Sequence, residues 1–359
     1  MLALAPGAAG LPLNRLQSPS PTLDPAKKIR ALADGYVSKP NRSGLSIGVT
    51  IRGKNYFYNG GLLDQSRRLR PTTKTIFEIG SITKTFTGVL LAQAVEDKKL
   101  NLQDDIRKYL PGDYPNLAFE GHPIRVIDLA NQTSGLPQNS TVIPSNSSPS
   151  DIVRLEKANN DVTFLSNLHS VRLDHAPGEK LEYSNTGFGL LGIVLERVYG
   201  LTFEALVTRL ISKPLAMPDT GITLSPSQLG RFAPGTSSDG SERPSLILGV
   251  PASGGLRSTV SDLMRYVRAN VTANHGPMFV SHLLTAGSES GGVGLGWDVD
   301  KDHTGAPRFS HDGGMLGYSA YVAVIPGRSF GIVILTNQSG VLGDLRGLGE
   351  AITKALAGE

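Results

Sequence analysis

Ser81-Ile82-Thr83-Lys84 places a hydroxyl and an amine three residues apart. On a helix, positions i and i+3 share a face, so Ser81 Oγ and Lys84 Nζ can meet. A serine hydroxyl is a weak nucleophile and needs an adjacent base. A lysine serves as that base only where burial and neighbouring positive charge lower its pKa. The chemistry would be acyl transfer through an ester on Ser81. Taken alone, a serine at a helix start is an N-cap and a lysine one turn on is solvated. This Ser-x-x-Lys is the only one in the chain.

Two further groups could complete such chemistry. In Tyr183-Ser184-Asn185 the phenol could relay a proton to a leaving group. The Asn185 amide could bond both the lysine and a substrate carbonyl. In His311-Asp312-Gly313-Gly314, an imidazole and two glycines at a strand edge could line a cleft. There the Gly314 N–H could complete an oxyanion hole with the Ser81 N–H. Each group also has a bland reading: a half-buried aromatic, a helix cap and a loop histidine. Two look-alikes read as turns. Tyr114-Pro115-Asn116 follows Pro111-Gly112, and His303-Thr304-Gly305 lies between Asp298-Val299-Asp300 and Pro307.

These residues need elements to hold them. Phe77-Glu78-Ile79-Gly80-Ser81 ends strand-like, and a helical period follows through Phe86, Val89, Leu90 and Val95. Ser81 therefore falls where free N–H groups and the positive dipole end favour an oxyanion. Tyr183 precedes a patterned helix from about Gly187 to Val198, with another expected from Thr202 to Ile211. Asp24-Pro25 opens a helix, Leu45–Ile51 and Asn55–Tyr58 read as strands, and residues 258–270 as a helix capped by Thr259 or Ser261. The strands return at Gly294–Asp300, Tyr318–Ile325 and Gly331–Thr336, before a helix over 343–356. Strands at both ends predict a mixed α/β fold: an antiparallel sheet flanked by helices, with a mostly helical second domain. The expected division is residues 24–105 plus 245–359 for the sheet domain and 106–244 for the helical insertion. The active site would lie between them.

Composition narrows the chemistry. The chain has 359 residues, 35 Lys plus Arg, 31 Asp plus Glu and a net charge of +4, without a basic block, so nucleic acid is not an expected partner. Cysteine is absent, which excludes thiol catalysis, disulfides and iron–sulfur clusters. His122, His169, His175 and His282 lack metal-ligand spacing, so neither metal nor cofactor is expected. No apolar run spans a membrane. Trp297 reads as a packed strand aromatic, and Ser253-Gly254-Gly255 as a turn near the site. Residues 1–23 read as a disordered leader or signal remnant, with a Pro- and Ser-rich stretch fitting an exported protein's linker. Of the 42 glycines, Gly80, Gly313 and Gly314 would stand where backbone approaches substrate.

Ser-x-x-Lys, Tyr-x-Asn and His-x-Gly, in that order, resemble the serine β-lactamase and penicillin-recognising enzyme superfamily. The likeness is nearest to its class C β-lactamase group, with D-alanyl-D-alanine carboxypeptidases, D-aminopeptidases and amidases, and β-lactamase-like carboxylesterases. It covers about residues 24–357 and extends to Asp128–Pro137, Pro214–Met217, Ser253–Leu256, Gly294–Trp297 and Gly331–Asn337. The resemblance implies a serine hydrolase with Ser81 as nucleophile, Lys84 as base partner and Tyr183 as proton shuttle. It makes Asn185 a substrate and lysine contact, and puts Asn139 or Gln138 on the acyl side. His311 stands where class C enzymes carry a lysine, which weakens attraction for a substrate carboxylate. The implied substrates are β-lactams or D-alanyl peptides. A short-chain esterase is the alternative, and a non-catalytic penicillin-binding sensor stands further off. The resemblance also implies export. It leaves oligomeric state open.

Overall fold

The computed structural model describes residues 24–288 and 290–357. The expectation for residues 1–23 lies outside them. Helix α1, Pro25–Val37, starts as expected: Asp24 accepts from the Ala26 N–H, and proline occupies the first turn. The strands of three or more residues are β1 (Leu45–Ile51), β2 (Lys54–Gly60), β3 (Ile76–Glu78), β4 (Arg257–Thr259), β5 (Ala286–Ser288), β6 (Gly291–Val293), β7 (Asp298–Lys301), β8 (Pro307–Met315), β9 (Tyr318–Ile325) and β10 (Phe330–Thr336). Eight of them form one antiparallel sheet in the order β2-β1-β10-β9-β8-β7-β6-β5. Its first and last long strands are neighbours, with Leu45 opposite Thr336 and Ile51 opposite Phe330.

Strand alternation explains why helices cover both faces. Tyr321, Ala323, Ile325, Ile332 and Ile334 turn to one face, where α1 and α6 (Leu342–Ala357) pack. Ala320, Val322, Val324, Val333 and Leu335 turn to the other. That face meets α5 (Val260–Thr272), whose cap is Thr259, and beyond it α2 (Thr83–Glu96) and α4 (Asn185–Tyr199). Helix α3, Pro149–Ala158, lies in the helical stretch between β3 and β4. The fold class is thus the mixed antiparallel sheet with flanking helices that the sequence predicts.

Three local expectations differ. Gly294–Asp300 is not one strand. A turn at Gly294–Trp297, where the Gly294 N–H meets the Trp297 carbonyl, separates β6 from β7. Trp297 is buried as expected, but in this turn rather than a strand, stacked on Tyr266. The helix expected from Thr202 to Ile211 is regular only over Phe203–Val207. It then widens into a π turn, Thr208–Ser212, closed by the Lys213 N–H on the Thr208 carbonyl. His311–Gly314 belongs to β8 itself, where β7 pairs only with Pro307–Ser310. From His311 to Met315 the strand pairs on one side, with β9.

Candidate active site

Ser81 sits in a single 3-10 turn, Gly80–Ile82, between β3 and α2. Gly80 has φ +51°, a left-handed conformation that costs glycine little. A β-carbon there would sit 2.8 Å from both the N and the O of Gly314, and one on Gly313 would sit 2.0 Å from the Ile79 carbonyl. Two bare backbones therefore press together, which sets the Gly313–Gly314 end of β8 against the turn carrying Ser81.

Lys84 lies one turn along and is fully buried. Its Nζ is 3.1 Å from Ser81 Oγ, 2.6 Å from Asn185 Oδ1 and 2.7 Å from the Ser253 carbonyl. The rings of Tyr183 and Phe188 stand 4.8 and 5.5 Å from it. No carboxylate pairs with it among the described residues, so burial holds its pKa well below the ordinary lysine value. The Tyr183 hydroxyl donates to Ser81 Oγ at 2.7 Å. The residue is 42% exposed, but its hydroxyl end is packed into the site. Burial pushes the phenol up to about 12, against the pull of the Ser81 hydrogen bond.

The two asparagines meet. Asn185 Nδ2 donates to Asn139 Oδ1 at 2.8 Å, which orients the Asn185 amide with its oxygen on Lys84. Asn185 is the first residue of α4 rather than its cap. Ser184 caps, accepting from the Gly187 N–H. Gln138 contributes backbone, its carbonyl accepting from the Asn185 N–H. His311 is buried, and its Nδ1 lies 2.6 Å from the Asp312 carbonyl. A carbonyl only accepts, so Nδ1 carries the proton and Nε2 is bare. Burial, and then the neighbouring Lys84, bring its pKa down to about 4. The imidazole is neutral near pH 7. The Asp312 carboxylate pairs with Arg346.

All eight sequence-predicted residues therefore gather around one point. The look-alikes do not. Tyr114 is buried with its hydroxyl on the Leu165 carbonyl, Asn116 ties Leu168 and Val171, and His303–Gly305 turns the β7–β8 hairpin. Sequence reading missed the Ser253 carbonyl as the third partner of Lys84, because a backbone oxygen carries no residue signature. It also missed Phe188, which falls one turn after Asn185 and was readable as i+3 on the same face. Buried Glu78, facing Arg257, is the third omission. It accepts from the Leu246 N–H at 3.0 Å and fixes the segment that walls the cleft. That cleft, of about 250 Å³, is lined by Ser81, Asn139, Asn185 and Gly314 and by apolar Phe164, Leu246, Leu248, Val250, Met315 and Leu316. A wider groove of about 900 Å³ shares Asn139–Thr141 and has Tyr183 on its wall. Among the described residues no three His, Asp or Glu side chains cluster to hold a metal.

A family model described as Beta-lactamase matches residues 29–357. The protein flp of Staphylococcus aureus (strain MRSA252) is 26% identical over 328 residues, covering 88% of this chain. The chain spans only 64% of that relative's length. A beta-lactamase of Escherichia coli (strain K12) is 28% identical over 336 residues, 82% of this chain and 84% of that protein. The D-alanyl-D-alanine-carboxypeptidase/endopeptidase AmpH of the same strain is 26% identical over 325 residues, 86% and 82% of the two chains. A solved class C beta-lactamase matches in fold with a TM-score of 0.79 at 23% identity, covering 94% of this chain and all of the other.

Proposed function

The chain belongs to the beta-lactamase family and has that fold, and from this premise we propose that it is a serine hydrolase acting through an acyl-enzyme on Ser81, taking D-alanyl peptides or β-lactams. The observation that carries the reading is the contact set of Lys84. A neutral amine has two N–H bonds and one lone pair. Asn185 Oδ1 and the Ser253 carbonyl only accept, so they take the two protons. The lone pair is left for Ser81 Oγ, 3.1 Å away. Lys84 then removes the Ser81 proton as Oγ attacks the substrate carbonyl. The oxyanion lies between the Ser81 and Gly314 N–H groups, where fixed dipoles replace water.

Tyr183, held as a neutral phenol, hands its proton to the leaving nitrogen or oxygen as that bond breaks. The proton on Lys84 restores it. Water attacks the ester by the reverse relay and frees Ser81. The substrate classes rest on two of the relatives, a beta-lactamase and a D-alanyl-D-alanine carboxypeptidase. Neutral His311 gives little pull on a substrate carboxylate, which argues against efficient cephalosporin hydrolysis. On this reading the helical segment 106–244 is a second domain, supported by its supply of Asn139, Tyr183 and Asn185 to one side of the site. Export belongs to the same proposal, as the family resemblance implies.

A second reading, hydrolysis of short acyl esters, is favoured by the apolar cleft wall, with Met315 and Leu316 beside Gly314. One panel tests both: a penicillin, a D-alanyl-D-alanine peptide and a p-nitrophenyl ester, each with wild type and Ser81→Ala. We expect a mass adduct on Ser81 with penicillin and turnover of at least one substrate, both lost in Ser81→Ala. Ester turnover without peptide cleavage selects the second reading. An unchanged Ser81→Ala enzyme overturns both.

A further inference from the structure

The cleft beside Ser81 has an apolar wall, and next to that wall stands a carboxylate. Glu156, near the end of α3, lines the same cavity as Ser81 and Gly314. Among the described residues lining that cavity it is the only carboxylate, and there is no lysine or arginine. Its carboxylate has one weak hydrogen bond, from Thr141 Oγ1 to Oε2 at 3.4 Å, and forms no ion pair with any described residue. Beside it on the wall, Asn159 is 6% exposed. Its Nδ2 donates to Ser140 Oγ at 2.8 Å, while its Oδ1 has no partner.

The side chain is costly where it is. Burial raises the Glu156 pKa, and Thr141 offsets that only in part. A half-buried carboxylate without a cation gives up hydration with little return. An unpaired amide oxygen adds a second unmet demand. The Glu156 carboxylate is an acceptor, and a ligand that brings donors and positive charge would meet it. An ammonium brings three N–H donors on one centre. The cavity volume of about 250 Å³ lies below the range of roughly 300–1,000 Å³ usual for drug-sized ligands, so the group that enters is small.

We propose that Glu156 makes the cleft selective for a small acyl group whose apolar body carries a primary ammonium. The apolar wall of Ile152, Phe164, Leu248 and Val250 takes the body, and Glu156 takes the charge. This deepens the acyl-enzyme reading and rests on it. Glu156 touches neither Ser81 nor Lys84 through any hydrogen bond, so its role is in choosing the acyl group and not in the proton transfers.

Ampicillin and benzylpenicillin differ in the side chain by one amino group and serve as the probe pair. A second pair is the p-nitrophenyl esters of phenylglycine and phenylacetic acid. The rate of Ser81 acylation is measured for each by mass spectrometry or p-nitrophenol release. The readout is the amine-to-non-amine rate ratio in the variant relative to wild type, which cancels the intrinsic reactivity of each substrate. In Glu156→Gln the ratio should fall about tenfold, the effect of losing one partly buried ion pair. In Glu156→Lys it should fall further, and a side-chain carboxylate should become the favoured group. Ratios within twofold of wild type in both variants, with Ser81 still acylated, overturn this inference and leave the acyl-enzyme reading standing. No adduct on Ser81 from any of the four compounds overturns that reading, and this inference with it. Should Glu156→Gln not fold, the ratio in Glu156→Lys, at a half-exposed helix position, decides by the same twofold limit.

Discussion

Replacing Tyr183 by phenylalanine removes one oxygen and tests the proton relay. The 2.7 Å hydrogen bond to Ser81 Oγ admits two roles. If the phenol only steadies the serine, its loss costs an ordinary hydrogen bond, about 0.5–1.5 kcal/mol, or about two- to twelvefold in rate. If it passes a proton to the leaving group, the loss is about 10²- to 10⁴-fold. The gap between these ranges decides the matter. The phenol is pushed up to about 12, so it stays protonated through the neutral range. The deficit should therefore be the same across roughly pH 6 to 9, since neither enzyme has a titrating tyrosine there. Folding should barely change, because the residue is 42% exposed and no buried apolar surface is lost. The assay is the second-order rate of Ser81 acylation against pH, with urea unfolding as the control. A Tyr183→Phe enzyme within tenfold of wild type, or a deficit that changes across that pH range, would refute the relay.

Gly80→Ala should lower stability by about 2 kcal/mol, since a left-handed alanine costs roughly 1–2 kcal/mol and its β-carbon meets Gly314 backbone at 2.8 Å. Acylation should fall by about a hundredfold, more than the stability loss explains, because the strand must retreat from Ser81. Urea unfolding and stopped-flow acylation on one preparation check the pair, and a rate within threefold of wild type counts against the oxyanion-hole assignment. His311 gives a stability signature. Its pKa falls from 6.5 in the unfolded chain to about 4 in the fold, so its contribution is complete above 6.5 and is lost as pH drops towards 4. The loss amounts to roughly 3 kcal/mol. His282, also down to about 4, titrates in the same window, so the readout is wild type against His311→Asn. The variant should show a shallower decline of unfolding free energy between pH 7 and 4, and equal slopes would mean that His311 is not buried as described.

The strands and the helices around Ser81 and Tyr183 were legible because alternation and helical period survive in buried elements. Leu45–Ile51, Tyr318–Ile325 and the helix after Ser184 are cases. The turn at Gly294–Trp297 was not, because a run of Gly, Leu and Trp has the composition of a buried strand while the Gly294–Trp297 hydrogen bond folds it back. The π turn after Val207 depends on where Lys213 finds its carbonyl, a choice invisible in residue types. Ser81, Lys84, Tyr183 and His311 were legible because each presents a side chain whose type and spacing suggest chemistry. Ser253 meets Lys84 only through its carbonyl, and Glu156 draws attention only once Phe164, Leu248 and Val250 are seen to line the same cleft.

The pairing of Leu45 with Thr336 sets an order on assembly. A chain made from its N-terminus holds β1 without its central neighbour until almost all 359 residues exist. Ser81 likewise waits for Gly314, more than two hundred residues later. Such high contact order makes closure slow and leaves apolar β1 open to aggregation in the meantime. Truncated chains ending before β10 should therefore collect in aggregates rather than as a stable, partly active enzyme. The proposed acyl-transfer site cannot be complete before the sheet is closed.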